Sequence, residues 1–118
     1  MIKGFKFAGI AAGIKKNGKK DLTLITAHTP LTVAGVFTTC KVEAAPVTLD
    51  RERVRSGNAR AVIINSGNAN ACTGEGGLAD AKETARLAAA ALLVAEEEVL
   101  VSSSGVIVWG RFTSSYIT

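Results

Sequence analysis

Ala61-Val62-Ile63-Ile64-Asn65-Ser66-Gly67-Asn68-Ala69-Asn70-Ala71-Cys72-Thr73-Gly74 is the stretch on which the fold turns. It opens with apolar residues, Val62, Ile63 and Ile64 being β-branched, which suits a strand covered on both faces. It then changes abruptly to small and amide residues. A strand that ends this way delivers a polar loop to a working surface. Asn65, Asn68 and Asn70 can bond neighbouring backbone and tolerate positive φ, so the expectation is a tightly folded loop with a shaped backbone.

Working outward, the chain of 118 residues has the size of one domain, or of part of a larger one. Apolar residues make up 47% of it and aromatic residues only 5%, a balance that favours close-packed layers of sheet and helix over disorder. No apolar run approaches the roughly 20 residues of a membrane span, and the N-terminus lacks a signal-peptide core. The expectation is a soluble, cytoplasmic protein with no membrane partner.

Cys40 and Cys72 sit in no CxxC pair and have no histidine cluster beside them, so the sequence predicts two buried thiols and no metal. The net charge is +4, and Lys3, Lys6, Lys15, Lys16, Lys19 and Lys20 crowd the first twenty residues. Lysines interleaved with Phe5 and Phe7 admit a nucleic-acid reading, but no recognition helix or stacking motif follows. A solvated hairpin end accounts for them, and no nucleic-acid partner is expected.

Before the central stretch, residues 5–14 alternate loosely, with Phe5, Phe7 and Gly9 opposite Lys6, Ala8 and Ile10. Asn17-Gly18 is a strong hairpin signal, and residues 21–27 make the returning strand. Gly9 and Gly13 mark places where another backbone comes close. Residues 13–20 fall one residue short of a phosphate-binding loop, with Lys20 where Ser or Thr is required and strand composition where a helix must open. His28-Thr29-Pro30 reads as a turn, with His28 a surface residue, and residues 32–39 as a third strand. Residues 50–55 read as a short exposed helix, and residues 59–65 as the central strand.

After the central stretch, Leu78, Ala81, Ala85, Ala88 and Leu92 recur at helical spacing over residues 78–93, and so many alanines allow close packing on a sheet. Glu96-Glu97-Glu98 precedes a short buried strand at 99–101, which runs into Ser102-Ser103-Ser104-Gly105. Three readings of that end stand open: a serine nucleophile, for which no base is evident; an oxyanion hole formed by the Ser104 hydroxyl and the Gly105 amide; and a plain strand-to-loop turn, which these four residues alone favour.

Taken together, Gly9-Ile10-Ala11-Ala12-Gly13-Ile14-Lys15, Asp21-Leu22, Phe37-Thr38-Thr39-Cys40 with Ala44-Ala45-Pro46-Val47, the Asn-rich stretch, and Ser103-Ser104-Gly105-Val106-Ile107 form an ordered set. In that order and spacing the chain resembles the N-terminal (α) part of the bifunctional ornithine acetyltransferase / glutamate N-acetyltransferase family of arginine biosynthesis. The resemblance runs over residues 4–107 and leaves 108–118 as a divergent tail. It implies an α/β layered sandwich, a sheet packed against helices, similar in logic to N-terminal-nucleophile hydrolases. It also implies self-cleavage of a precursor and an α2β2 heterotetramer in which a threonine at the start of the β chain is the nucleophile.

The implied reaction carries acetyl from N-acetylornithine to glutamate without a cofactor, acetyl-CoA being a second candidate donor. The α part contributes an oxyanion hole from a Thr-Gly pair, and Ser104 and Gly105 stand at those positions. Cys40 stands where asparagine commonly follows the two threonines, and the sequence stops before the family's Lys-Gly-Ser-Gly-Met stretch and its cleavage-site threonine. Inactivity of this chain alone is therefore expected. The rival expectation is a non-catalytic family fragment that self-associates.

Overall fold

The computed structural model describes residues 2–107. Strand β1 (Phe5–Ile10) pairs antiparallel with β2 (Leu22–Thr32), and β2 pairs antiparallel with β3 (Asn58–Ala69). β3 pairs in parallel with β4 (Val99–Ile107), so the sheet order is β1-β2-β3-β4. Helix α1 (Ala45–Val54) precedes β3, and α2 (Gly74–Leu92) with a single 3-10 turn at Glu96–Glu98 provides the crossover from β3 to β4. A parallel pair requires such a crossover, since its strands must run the same way.

Both helices lie on one face of the sheet. Ala81, Ala85, Ala88 and Ala89 of α2 and Leu49 of α1 pack on Leu22, Ala61, Ile63, Val99 and Val101 to form the core. Ala85 and Val99 are wholly excluded from solvent. The alanine side of α2 lets its backbone approach the strands closely, as its sequence period implies. The fold class is the expected α/β arrangement of sheet and helices.

The charged run from residue 50 falls in a longer helix than expected, with Arg55 as its C-terminal cap, and α1 is not simply an exposed one. Pro46 suits the first turn, where its missing N–H is no loss. Leu49 and Arg53 are buried. Among the described residues β4 is one edge of the sheet, and α1 caps its outer side: the Val101 amide donates to Asp50 Oδ1 at 3.0 Å, and Arg53 Nη1 donates to the Val99 carbonyl. An acid and a base thus replace the hydrogen bonds of a missing neighbouring strand. Arg53 also meets Glu96 at 3.1 Å, tying the 3-10 turn to the same edge.

Residues 32–39 do not form a third strand. β2 absorbs Leu31 and Thr32 after an irregularity beyond Thr26, and residues 33–40 carry no regular structure. This segment is held by side chains of α1: Arg51 lies over the Phe37 ring at 5.6 Å and donates to the Thr38 carbonyl at 2.7 Å. The same guanidinium pairs with Glu43 at 2.7 Å. His28 is exposed as expected, but it lies within β2 rather than in a turn.

The opposite face of the sheet is not covered by any described helix. Phe5, Ile25, Leu31, Val62 and Leu100 line a shallow apolar hollow there. The Phe5 and Phe7 rings stack at 6.3 Å beside it, and Phe7 is half exposed.

Candidate active site

The apolar half of the Asn-rich stretch is the central strand, but its polar half is not a loop. β3 continues to Ala69, paired with β4 residue for residue up to Ala69 opposite Ile107. Ser102, Ser103, Ser104 and Gly105 likewise lie within β4 and not in a turn beyond it. What the sequence signals as a loop is a matched bend in two paired strands. Gly67 and Gly105 face each other on one rung, with φ of 117° and 136°. A bend in only one strand would break the ladder; a bend in both preserves it.

The rung is tight. A Cβ on Gly105 would lie 2.5 Å from the Gly67 carbonyl carbon and 2.7 Å from the Asn68 nitrogen. Only glycine fits both the space and the torsion. The bend also shifts the alternation of β3: Ala61, Ile63 and Asn65 are buried before it, Asn68 and Asn70 after it.

Each asparagine has a structural task. Asn65 donates to the Asn68 carbonyl at 2.6 Å, closing the bend. Asn70 donates to the Gly77 carbonyl at 2.7 Å in the first turn of α2, accepts from the Thr73 hydroxyl, and uses its own carbonyl to receive the Ala45 amide at 3.2 Å. It therefore binds the exit of β3 to the starts of both helices. Gly77 is required there, because a Cβ would overlap the Thr73 side chain at 1.7 Å.

Over this bend folds the segment 11–20, which is not a two-residue hairpin. Asn17 makes the local turn by accepting from the Lys19 amide at 3.1 Å, and Gly18 supplies a φ of 69°. The strands nevertheless stop at Ile10 and Leu22. The intervening amides are claimed by Asp21, which is 3% exposed: Oδ1 accepts from Ala12 at 2.6 Å and Oδ2 from Lys15 at 2.8 Å. The Lys15 amide bond is the main reason that its carboxyl is held below the usual range. Gly13 serves its φ of 86° and meets nothing within 4 Å, while Gly9 makes ordinary contacts only, so neither marks the close backbone approach expected of it. The close approach is at Gly67, where a Cβ would lie 2.9 Å from Lys15 Cγ and 3.2 Å from Ile14 Cγ2.

Ser104 and Gly105 are exposed at the carboxyl end of the parallel strands, the end at which open α/β sheets bind their ligands. Ser103 is turned the other way, its hydroxyl buried without a hydrogen-bond partner among the described residues. Of the three serines, Ser104 is therefore both beside Gly105 and open to a reactant. Cys40 and Cys72 are exposed and not joined in a disulfide, contrary to the expectation of buried thiols. Both lie in connections outside the helices and strands, away from the core between sheet and helices.

The ArgJ family profile matches residues 6–111. The chain belongs to the ArgJ family. It is 57% identical over 106 residues to the arginine biosynthesis bifunctional protein ArgJ of Geobacter sulfurreducens, covering 90% of this chain and 27% of that protein. Against the ArgJ of Caldanaerobacter subterraneus subsp. tengcongensis it is 55% identical, covering 91% and 26%. The chain thus spans about a quarter of the length of the curated ArgJ proteins it matches.

Among solved structures it is similar to Mycobacterium tuberculosis ornithine acetyltransferase complexed with ornithine, with a TM-score of 0.91 and 45% identity over 98% of this chain and 62% of that one. The ArgJ of Bacillus halodurans superposes with a TM-score of 0.88 and 40% identity, covering 98% and 59%. Sequence reasoning singled out Ser104 and Gly105 but missed the Asp21 anchor. A lone acid directly before the apolar-alternating residues 22–25, after a Gly- and Lys-rich segment, is the signal that was available.

Proposed function

We propose that this chain is the α part of an ornithine acetyltransferase and supplies the oxyanion-stabilising half of an active site completed by a β chain in an α2β2 assembly. The observation that carries the reading is the Ser104-Gly105 corner, held open at the carboxyl end of β3 and β4 by the paired glycine bend. Membership of the ArgJ family and the likeness to an ornithine-bound acetyltransferase support it.

In this mechanism the β-chain threonine, freed by self-cleavage of a precursor, attacks the acetyl carbonyl of N-acetylornithine, its hydroxyl proton passing to its own α-amine. The carbonyl oxygen gains charge while the Ser104 hydroxyl and the Gly105 amide donate to it. The C–N bond breaks, the proton goes to the departing amine, and ornithine leaves an acetyl-threonine ester. The glutamate amine then attacks the ester and regenerates the threonine hydroxyl. No cofactor enters, acetyl-CoA is a second candidate donor, and the cytoplasm is the compartment in which such biosynthesis would run. Among the described residues no helix is long and apolar enough to cross a membrane.

Co-expression of this chain with the remaining segment of the Geobacter sulfurreducens relative tests the reading. Acetyl exchange between N-acetylornithine and glutamate is expected, and Ser104→Ala should slow it by roughly two orders of magnitude. An unimpaired Ser104→Ala assembly would remove the hydroxyl from the mechanism. The rival reading, a self-associating fragment without catalysis, draws on the open apolar sheet face and on the exposed Val106 and Ile107 at the end of edge strand β4.

A further inference from the structure

We propose that Asp21 and Lys15 are positioning residues that set the orientation of the Gly105 amide from the other side of the Gly67 rung. The proposal rests on the oxyanion reading of that corner and assigns work to two residues that touch neither substrate nor nucleophile in it.

A chain of contacts carries the argument. The Asp21 carboxylate fixes the amides of Ala12 and Lys15, its own amide donates to the Ile10 carbonyl at 3.0 Å, and its carbonyl receives the Ser66 amide at 2.8 Å. One buried acid therefore locks the segment 11–15 to the β3 residue next to Gly67. This lock lays the Ile14 and Lys15 side chains against the Cα of Gly67, at the separations that exclude any larger residue. Gly67 in turn abuts Gly105, with its carbonyl carbon and Cα within 2.8 Å of where a Gly105 Cβ would be. Packed contacts of this kind transmit displacement because no void takes it up.

Lys15 acts here through its aliphatic stem. Among the described residues no carboxylate lies within 4 Å of its ammonium, and both Asp21 oxygens are occupied by backbone amides. The stem covers the glycine, with its Cε 3.6 Å from where a Gly67 Cβ would be, as long basic side chains do on apolar surface, while its charge favours the ionised Asp21 carboxylate as the weakest of several causes. Removing the stem frees Gly67 to shift toward the vacated space and carries the Gly105 amide with it. Replacing it by the similar stem of methionine preserves the contact without the charge.

The test compares Lys15→Ala, Lys15→Met and Asp21→Asn in two measurements. In amide NMR spectra of the 118-residue chain, Lys15→Ala should shift or broaden the Gly67 and Gly105 resonances and leave those of α2 in place, and Lys15→Met should leave all of them in place. In the co-expressed assembly, Lys15→Ala should lower kcat about tenfold with KM changed less than twofold, as a misplaced donor does, and Lys15→Met should match the parent. Asp21→Asn should reproduce the Lys15→Ala effects; should it not fold, the lysine pair decides. Unmoved Gly67 and Gly105 resonances in Lys15→Ala would overturn the proposal, as would equal kcat losses in Lys15→Ala and Lys15→Met, which would assign the role to the charge. Shifted resonances with an unchanged kcat would support the mechanical coupling and reject the oxyanion reading instead.

Discussion

Replacing Gly105 by alanine perturbs the rung on which the candidate site is built. Two costs add. At a φ of 136° the backbone lies where residues with a Cβ are rarely found, a strain of about 1–3 kcal/mol. The new methyl would also lie 2.5 Å from the Gly67 carbonyl carbon and 2.7 Å from the Asn68 nitrogen, so two paired strands must part, adding about 1–3 kcal/mol as overpacking does. A total near 4 kcal/mol is a large share of the roughly 5–15 kcal/mol that stabilises a domain. Gly18→Ala is the matched control: its φ of 69° is also positive, but nothing lies within 4 Å of the added methyl, so only about 1–2 kcal/mol of backbone strain is expected. Urea denaturation followed by circular dichroism reads both, and with a slope of about 1.5 kcal/mol per molar the Gly105→Ala midpoint should fall by roughly 2–3 M. If the two variants lose the same stability, the glycine rung is not the tight contact described and the account of the site loses its basis.

Other outcomes follow from the same structure. Asp50, desolvated beside β4 and only partly compensated by the Val101 amide and Arg53, is pushed from its ordinary 3.8 up to about 6. The folded chain therefore binds the proton more tightly than the unfolded one, so this stability is full below pH 3.8 and is lost as pH rises through about 6. Asp50→Asn should flatten that slope in pH-dependent melts and gain about 1 kcal/mol at pH 7 once solvent screening is allowed for; an unchanged slope would contradict the burial argument. Leu93, 90% exposed, ends α2 with a φ of 56°, so Leu93→Gly should raise stability by about 1 kcal/mol in the same denaturation assay. Asn70→Ala should cost about 2–3 kcal/mol, because the Gly77 carbonyl and Thr73 hydroxyl lose their shared partner. If the uncovered sheet face drives association, Phe7→Lys should lower the oligomer fraction seen by sedimentation, whereas a chain that is already monomeric would count against that rival reading.

The layers of this fold were legible because they rest on periodicity. Helix α2 declares itself through alanines at helical spacing, and the central strand through Val62, Ile63 and Ile64. What the sequence could not convey were places where side chains stand in for backbone partners. Arg51 holds residues that alternate like a strand, Asp50 and Arg53 cap an edge, and Asp21 consumes amides that a hairpin would have paired. The Asn-rich stretch shows the same limit from the other side. Its composition signals special backbone, correctly, but a lone strand cannot reveal that Gly67 bends in register with Gly105 thirty-eight positions later. Ser104 and Gly105 could be selected by resemblance; their exposure, and the inward turn of Ser103, required the pairing of β3 with β4.

The most direct measurement is a crystal structure of the co-expressed assembly with its threonine trapped as a tetrahedral adduct of an acetyl-group analogue. The adduct oxygen should lie within about 3 Å of both the Gly105 nitrogen and the Ser104 hydroxyl. An adduct oxygen held by other donors, with Ser104 and Gly105 facing solvent, would contradict the central claim.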